Sequence, residues 1–229
     1  MIKSMCYTEK FRQVTVNQGM VYFAFKLIFL YLAIVAPSFS SDRIAQAHEC
    51  LRIQDFDCAF LNFKLEAKLG DAEAQYNLGI MYERGESVKE SKGEALRWFS
   101  KAANNGYVKA QLSLGLHYGI YDDFYEAIKW LREAGNNGEP LAQYLMARYH
   151  RYGRGTTKNI EMAVEWYLKA SEQGYTSAQN EIAKMYEKGD EISPDKEVSI
   201  FWYGKACENG SKRGCTKYNK LNAQSYSER

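Results

Sequence analysis

The sequence predicts an all-α protein built as a solenoid of stacked helical hairpins, because three features recur together along it. The chain has 229 residues and four tryptophans, which are separated by 32, 36 and 36 residues. A glycine follows each tryptophan by eight residues, and an Ala-Gln pair precedes each by 24 residues, or by 20 in the second case. The tryptophans are Trp98, Trp130, Trp166 and Trp202. Self-similarity at such a period is typical of solenoids, in which each repeat is one supersecondary unit.

The recurrence divides the chain into four units, and each unit into two helices. The units are residues 71–106, 107–138, 139–174 and 175–210. The first half of unit one has five recurring residues that fall within about 140° of one helix face. They are Ala74, Gln75, Leu78, Gly79 and Tyr82. The second half repeats a spacing of three and four residues with Ala95, Trp98, Phe99 and Ala102. Each unit is therefore expected to form a helix, a turn and a second helix.

Glycines mark the turns between the two helices of a unit. They are Gly85 in unit one, Gly153 with Gly155 in unit three, and Gly189 with Pro194 in unit four. Unit two lacks four residues in this turn, Ser199 takes an alanine position in unit four, and His150 takes a tyrosine position in unit three. One hairpin cannot bury its apolar stripe alone, so the units are expected to stack on one another.

The segments on either side of the four units are expected to cap the stack. Residues 41–70 resemble a degenerate leading hairpin, with Ala59, Phe63 and Ala67 in register but Asn62 where tryptophan is expected. Residues 211–229 are expected to supply one closing helix and a polar tail. Polar caps at both ends keep a solenoid soluble.

The charge balance excludes some classes of partner. The chain carries 30 Lys and Arg residues against 28 Asp and Glu residues. Four of the basic residues and one acidic residue lie in the first 40, which leaves residues 41–229 with a net charge of −1. A nearly neutral body lacks the basic surface that nucleic acid or an anionic membrane attracts.

Residues 1–40 have the pattern of a secretory signal peptide. Ten apolar residues at 27–36 follow Lys26 and precede a small-x-small motif that ends at Ser40. This run is shorter than the roughly 20 residues that cross a membrane, so cleavage before Ser41 is favoured over an uncleaved anchor. The preceding segment is long, and Met20 is a possible true start. The predicted location is therefore periplasmic or secreted, with no membrane span after cleavage.

The repeated residues identify a family resemblance. The run Ala74-Gln75-Tyr76-Asn77-Leu78-Gly79, followed by Glu94-Ala95-Leu96-Arg97-Trp98-Phe99, resembles the Sel-1-like repeat, a relative of the tetratricopeptide repeat. The resemblance covers residues 71–210. It implies a right-handed α/α solenoid whose first helices line a concave groove.

Four cysteines remain when Cys6 is set aside, and they form two pairs with one spacing. Cys50 and Cys58 are eight residues apart, as are Cys207 and Cys215. Two antiparallel helices joined by a tight turn bring such positions within reach of a disulfide, and the spacing resembles that of the cysteine-rich Sel-1-like proteins. Zinc is the alternative, although neither pair has the spacing of two to four residues usual in zinc sites.

No catalytic, metal or cofactor site is predicted. His48, His117 and His150 lie on repeat helices without a ligand motif, and packing explains the last two. Some cysteine-rich members of the family have been credited with β-lactamase activity, and Ser193 to Lys196 does match the Ser-x-x-Lys pattern. However, Lys196 aligns with Lys92 of unit one, and neither a Ser-Asp-Asn nor a Lys-Thr-Gly motif follows.

A candidate binding row comes from the positions that vary between units. Offsets 3, 6 and 10 from the recurring alanine of the first helix lie directly opposite the fixed face. By resemblance, this row faces a ligand in the concave groove. The candidate residues are Arg84, Leu116, Ile120, Leu145, Arg148, Tyr152, Lys184 and Lys188. An apolar centre with a basic rim suits a peptide or protein. The alternative is that these residues contact the neighbouring hairpin.

Together these features predict a monomeric, exported, non-catalytic scaffold that binds a protein or peptide. Two alternatives are a hydrolase that acts on β-lactams or the cell wall, and a structural subunit of an envelope complex.

Overall fold

The computed structural model describes residues 42–189 and 191–227, with side chains through residue 224, and contains only α-helices as regular elements in those ranges. The helices are α1 (42–52), α2 (Phe56–Leu69), α3 (Ala72–Arg84), α4 (Lys92–Asn104), α5 (Val108–Ile120), α6 (Phe124–Asn136), α7 (Pro140–Tyr152), α8 (Ile160–Glu172), α9 (Thr176–Lys188), α10 (Lys196–Glu208) and α11 (Lys212–Ser227). The leader at residues 1–40, the possible start at Met20 and Cys6 lie outside the described residues.

Each helix packs mainly against the helices before and after it in the chain. The pairs α3/α4, α5/α6, α7/α8 and α9/α10 form hairpins that follow one another in order, with α1/α2 before them and α11 after them. The predicted all-α, right-handed solenoid is confirmed. Because the contacts are local in sequence, the repeating pattern alone determines most of them.

The glycine after each tryptophan ends the second helix of its unit. Gly106, Gly138, Gly174 and Gly210 have φ angles of 82°, 89°, 82° and 87°. This left-handed conformation is strained for a residue with a Cβ atom. Each glycine therefore lets the chain reverse into the first helix of the next hairpin, which explains its recurrence at a fixed distance from tryptophan.

The glycine of the Leu-Gly motif has a different role, since it lies where the two helices of a hairpin touch. A Cβ atom on Gly79 would come within 2.6 Å of the Phe99 ring, and one on Gly115 within 2.6 Å of Leu131. The motif thus sets the close approach of α3 to α4 and of α5 to α6.

The tryptophans pack one hairpin against the preceding one. Trp130 and Trp166 are buried, whereas Trp98 and Trp202 are half-buried. The Trp166 ring lies 3.1 Å from where a Cβ atom on Gly135 of the preceding hairpin would stand. Trp166 also belongs to the central core cluster, which includes Leu131, Met146 and Ile182 of three successive hairpins. The central tryptophans therefore connect adjacent hairpins.

The recurring glutamine forms a polar ladder along the solenoid. In each unit its side-chain amide donates to the carbonyl oxygen of the residue eight positions earlier, at the end of the preceding second helix, over 2.9–3.2 Å. Its oxygen accepts from an amide 26 or 30 residues later, just beyond the second helix of its own unit, over 2.7–3.2 Å. The glutamines are Gln75, Gln111, Gln143 and Gln179, and their amide donors are Asn105, Asn137, Gln173 and Asn209. The ladder thus ties three helices together at every repeat.

Replacing Gln143 by methionine should destabilise the protein by about 1–2 kcal/mol, because it removes two hydrogen bonds at nearly constant side-chain volume. The Gly135 carbonyl keeps the Gly138 amide as a donor, and the Gln173 amide loses its acceptor on Gln143. Urea denaturation followed by circular dichroism measures the loss. Gln173→Ala is the control, since this exposed partner should cost less than about 0.5 kcal/mol. Equal losses in the two variants would contradict a structural role for the buried amide.

Candidate functional site

The predicted binding row lies along α3, α5, α7 and α9, and its residues differ in exposure. Leu116 is 38% exposed, and Arg84, Ile120, Tyr152 and Lys188 are also exposed. Leu145, Arg148 and Lys184 are half-buried. Both named residues of unit two are therefore exposed, whereas units three and four each contribute one exposed residue.

A cavity of about 150 Å³ brings three of the predicted residues together. Leu145, Arg148 and Tyr152 of α7 line it, with Gly119 and Phe124 from the neighbouring hairpin among the other lining residues. The cavity therefore lies between two hairpins, and packing of α7 against α5 and α6 positions its walls.

Aromatic rings form the floor of this cavity. Phe124 and Tyr149 meet edge to face with 5.6 Å between ring centroids. The Tyr149 hydroxyl oxygen lies 2.5 Å from the position that a Cβ atom on Gly119 would occupy, so only glycine leaves room for it. Burial raises the pKa of Tyr149, and the hydroxyl stays protonated at neutral pH.

The rim of the cavity is mainly basic. Arg148 and Arg154 line it together with Asp122, and within the described residues neither arginine is in an ion pair. The Arg148 guanidinium lies 5.8 Å from the centroid of the Tyr144 ring. Two unpaired guanidinium groups beside aromatic walls suit an apolar or aromatic side chain next to a carboxylate.

Sequence reasoning missed Phe124, Tyr149 and Arg154 as cavity residues. Phe124 and Tyr149 do not stand at recurring positions of the repeat, and Arg154 lies in the predicted turn between Gly153 and Gly155. The spacing of Arg148 and Arg154 around that turn was the available signal.

A second cavity, of about 210 Å³, lies one hairpin earlier and includes Ile120 of the predicted row. Ser113, His117 and Tyr121 contribute walls from α5 and the residue after it, and Phe99 contributes from α4. His117 and Tyr121 lie 4.8 Å apart between ring centroids. Arg84, Leu116, Lys184 and Lys188 line neither of these two cavities.

Unit four differs from the expectation of a free basic rim, because one of its two predicted cations, Lys184, lies next to an acidic residue. Glu181 lies 3.3 Å from Arg151, 3.8 Å from Arg213 and 4.0 Å from Lys184. Arg151 is buried and also binds Glu191 at 3.0 Å. Lys158 and Arg151 hold the pKa of Glu191 below its usual range. Lys184 is therefore part of an ion network that joins successive hairpins. For this residue, contact with a neighbouring hairpin explains the position better than ligand binding does.

Leu145 also departs from a purely exposed position. It packs against the central core cluster while one side lines the cavity. Its position varies between units, yet the neighbouring hairpin contacts it, which was the alternative explanation for the row.

The histidines show no catalytic arrangement in the described part of the chain. His150 is buried, neither of its ring nitrogens has a hydrogen-bond partner there, and burial lowers its pKa. His48 contacts Glu73 at 2.8 Å on the surface. Between residues 42 and 227, excluding 190, no group of three or more His, Cys, Asp or Glu side chains is arranged to hold a metal ion. No helix there is both long and apolar enough to cross a membrane.

Both cysteine pairs lie at disulfide distance in the structure. Cys50 pairs with Cys58 and Cys207 with Cys215, with Cα–Cα separations of 5.8 Å and 4.4 Å. The first pair connects α1 to α2 within the leading hairpin, and the second connects α10 to α11. Cys215 occupies the glutamine position of the ladder and Cys207 the position of the residue that accepts from it. The second pair thus replaces a ladder hydrogen bond by a covalent one.

Comparison with known proteins agrees with this architecture. The family model of the Sel1 repeat matches residues 72–107, 108–139, 140–175 and 176–211. A Sel1 repeat protein from Oxalobacter formigenes superimposes with a TM-score of 0.62 at 26% identity over 75% of this chain and 79% of that chain. The protective antigen c5321 of uropathogenic Escherichia coli gives 0.63 at 28% identity over 73% of this chain and 37% of that chain.

The similarity to a curated viral protein is local. The putative sel1-like repeat-containing protein L18 of Acanthamoeba polyphaga mimivirus is 54% identical over 48 residues, which is 20% of this chain and 8% of that protein. This chain therefore spans a small part of that relative. The four repeat matches together cover more than half of the chain, and the chain belongs to the Sel1 repeat family.

Proposed function

We propose that this protein is an exported, non-catalytic scaffold that binds a protein or peptide in the cavity formed by Leu145, Arg148 and Tyr152. Sel1 repeat proteins are typically protein–protein interaction scaffolds and are generally not catalytic. The observation that carries the proposal is the meeting of an apolar floor and unpaired arginines between two hairpins. Such a cavity offers a place for an anchor side chain and a charged rim that sets its orientation.

The ligand that fits this cavity is a segment with an apolar or aromatic anchor beside an acidic residue. Leu116 and Ile120 extend an apolar surface on α5, on the neighbouring hairpin. A cavity of about 150 Å³ accommodates one large side chain and is small for a drug-sized molecule. This size favours a peptide anchor over a free metabolite.

Leu116→Asp and Tyr152→Ala should weaken capture of the partner without changing the fold. Both side chains are exposed, and exposed substitutions usually alter stability by less than about 0.5 kcal/mol. The partner is first recovered from the native envelope with the wild-type protein and identified by mass spectrometry. Its affinity for each variant is then measured by calorimetry. Arg97→Ala, an exposed change on the outer face, is the matched control. Unchanged affinity in both variants, with the control also unchanged, would reject this binding site.

Export is a separate part of the proposal, and it has its own test. The apolar run at residues 27–36 and the paired cysteines support it. We expect protein from cell fractionation to begin at or near Ser41 and to lie outside the cytoplasm. Protein in the cytosol whose N-terminal residue is Met1 or Met20 would reject export.

A further inference from the structure

The outer face of α2 carries three exposed leucines in one line. Leu61, Leu65 and Leu69 are 51–76% exposed. They are four residues apart, so they form a stripe about 12 Å long that covers about 80° of the helix circumference. The opposite side of α2 contributes Ala59 and Phe63 to the core. The leucines are therefore additional to the residues that fold the hairpin.

The same outer positions carry mostly polar residues in the four repeats. The register follows from Phe63, Phe99, Leu131, Tyr167 and Tyr203, which take equivalent positions on α2, α4, α6, α8 and α10. The equivalent outer residues are Arg97 and Lys101 on α4 with Asn105 just after it; Lys129 and Glu133 on α6 with Asn137 just after it; Glu165 and Lys169 on α8 with Gln173 just after it; and Phe201 and Lys205 on α10 with Asn209 just after it. Folding of this type of hairpin thus does not require apolar residues there. An exposed apolar stripe confined to one hairpin marks an interaction surface.

The charges beside the stripe are basic and unpaired. Lys64 and Lys68 flank the leucines on one side, and the Lys64 ammonium lies 5.1 Å from the centroid of the Phe60 ring. Within the described residues neither lysine forms an ion pair, whereas Arg97, Lys129 and Lys205 on other second helices each pair with a glutamate three residues away. The lysines of α2 are therefore free to bind carboxylates of a partner.

We propose that the leucine stripe of α2 is a second docking surface, which binds an amphipathic helix of a partner protein with acidic residues beside its apolar seam. Helix-on-helix recognition uses apolar residues three or four apart on one helix face, and the three leucines of α2 follow the four-residue spacing. The acidic residues of the partner would lie over Lys64 and Lys68. This surface faces away from the core of its own hairpin and shares no residue with the cavity on α7.

Two other occupants fit the surface less well. A second copy that met this chain stripe to stripe would offer no free acid for the lysines, because its stripe is flanked by the same Lys64 and Lys68 on one side and by Asn62 on the other, and its Asp57 accepts a hydrogen bond from Ser87. A membrane surface suits a broader apolar face than this narrow stripe.

The test uses the purified full chain and two synthetic helical peptides of about five turns. Both peptides carry one leucine seam, which is flanked by glutamates in one peptide and by lysines in the other. The first variant combines Leu61→Lys, Leu65→Glu and Leu69→Asn, the residues that α6 carries at these positions, and leaves the net charge unchanged. The second variant combines Lys64→Glu and Lys68→Glu. Leu116→Asp serves as the control, because it alters only the other proposed site.

Calorimetry should show binding of the glutamate-flanked peptide, weakened at least tenfold by the leucine variant and unaffected by Leu116→Asp. The variant with Lys64→Glu and Lys68→Glu should instead bind the lysine-flanked peptide more tightly than the glutamate-flanked peptide. Circular dichroism should show an unchanged fold in both variants, since the substituted side chains are exposed or flank the stripe.

Three results would overturn the proposal: no binding of the glutamate-flanked peptide, binding that the leucine variant leaves unchanged, or equal binding of the two peptides. Sedimentation to a dimer that the leucine variant abolishes would assign the stripe to self-association instead. Binding to vesicles of phosphatidylglycerol and phosphatidylcholine that requires the leucines would assign it to a membrane. Unchanged affinity of the Leu116→Asp and Tyr152→Ala variants would be a failure of the proposed function alone and leaves this test unaffected.

Discussion

Trp166→Ala should unfold the centre of the solenoid, with a loss of about 3–5 kcal/mol in the free energy of unfolding. Trp166 is buried, belongs to the central core cluster and packs against Gly135 of the preceding hairpin. Its removal leaves a cavity between two hairpins, and the interface between neighbours is what makes a solenoid cooperative. A loss of this size is comparable with the whole stability of a small domain.

Thermal and urea denaturation followed by circular dichroism would measure this effect. Trp98→Ala is the matched control, because the half-buried Trp98 lies near the start of the stack and should cost less. Leu116→Asp should leave the melting temperature almost unchanged. If Leu116→Asp lowers the melting temperature as much as Trp166→Ala does, Leu116 is a core residue and the proposed binding row is wrong.

Removal of the Cys207–Cys215 pair should release the closing helix α11 and cost about 2–3 kcal/mol, as expected for a closed loop of nine residues. In the preceding repeats a glutamine holds the equivalent junction by a hydrogen bond, and here the cysteines hold it covalently. Cys207→Ser with Cys215→Ser leaves α11 with the packing of Tyr218 and Leu221 against Tyr203 and with two ion pairs, Lys217–Glu187 at 2.6 Å and Arg213–Glu181 at 3.8 Å. These partly exposed pairs contribute little stability.

Hydrogen exchange would locate this loss, and thiol titration would test the pairing. Amides of α11 should lose protection in the double variant, while those of α7 and α8 keep theirs, because coupling in a solenoid is between nearest neighbours. Cys50→Ser with Cys58→Ser is the matched control, and it should loosen α1 instead. Protein that begins at Ser41 should contain no titratable thiol before reduction. Two free thiols per pair under native conditions would refute the disulfides.

The repeat pattern predicted the helices and their order because the contacts behind it are short in sequence. Each hairpin closes over about 30 residues, and its apolar stripe has one neighbour on each side. The cysteine pairs were predictable for the same reason, since eight residues around a tight turn leave few possible geometries. The ladder amides were not predicted, although Asn105, Asn137 and Asn209 each precede a recurring glycine. Their partners lie 26 or 30 residues away, so spacing within one helix did not reveal them.

The candidate site was only partly predictable, because variation between repeats does not measure exposure. Leu145 varies but packs against the core, and Lys184 varies but belongs to an ion network. Phe124 lies on α6 and Tyr149 on α7, so a projection of one helix cannot show that both line the same cavity. Exposure depends on which side chain of the next hairpin covers a position, and that is a property of two units together.

The sequence by itself determined the family of this protein, the number of repeats and the positions at which helices touch, because one helical period repeated with few interruptions leaves one way to bury the apolar stripe. Only the tertiary structure decided which surfaces stay open. It showed that Arg148 and Arg154 line one cavity beside aromatic walls, that Glu181 pairs with Lys184 of unit four, and that three leucines of α2 remain uncovered. These outcomes depend on charges and side-chain volumes brought together from different hairpins, which no pattern along a single helix contains.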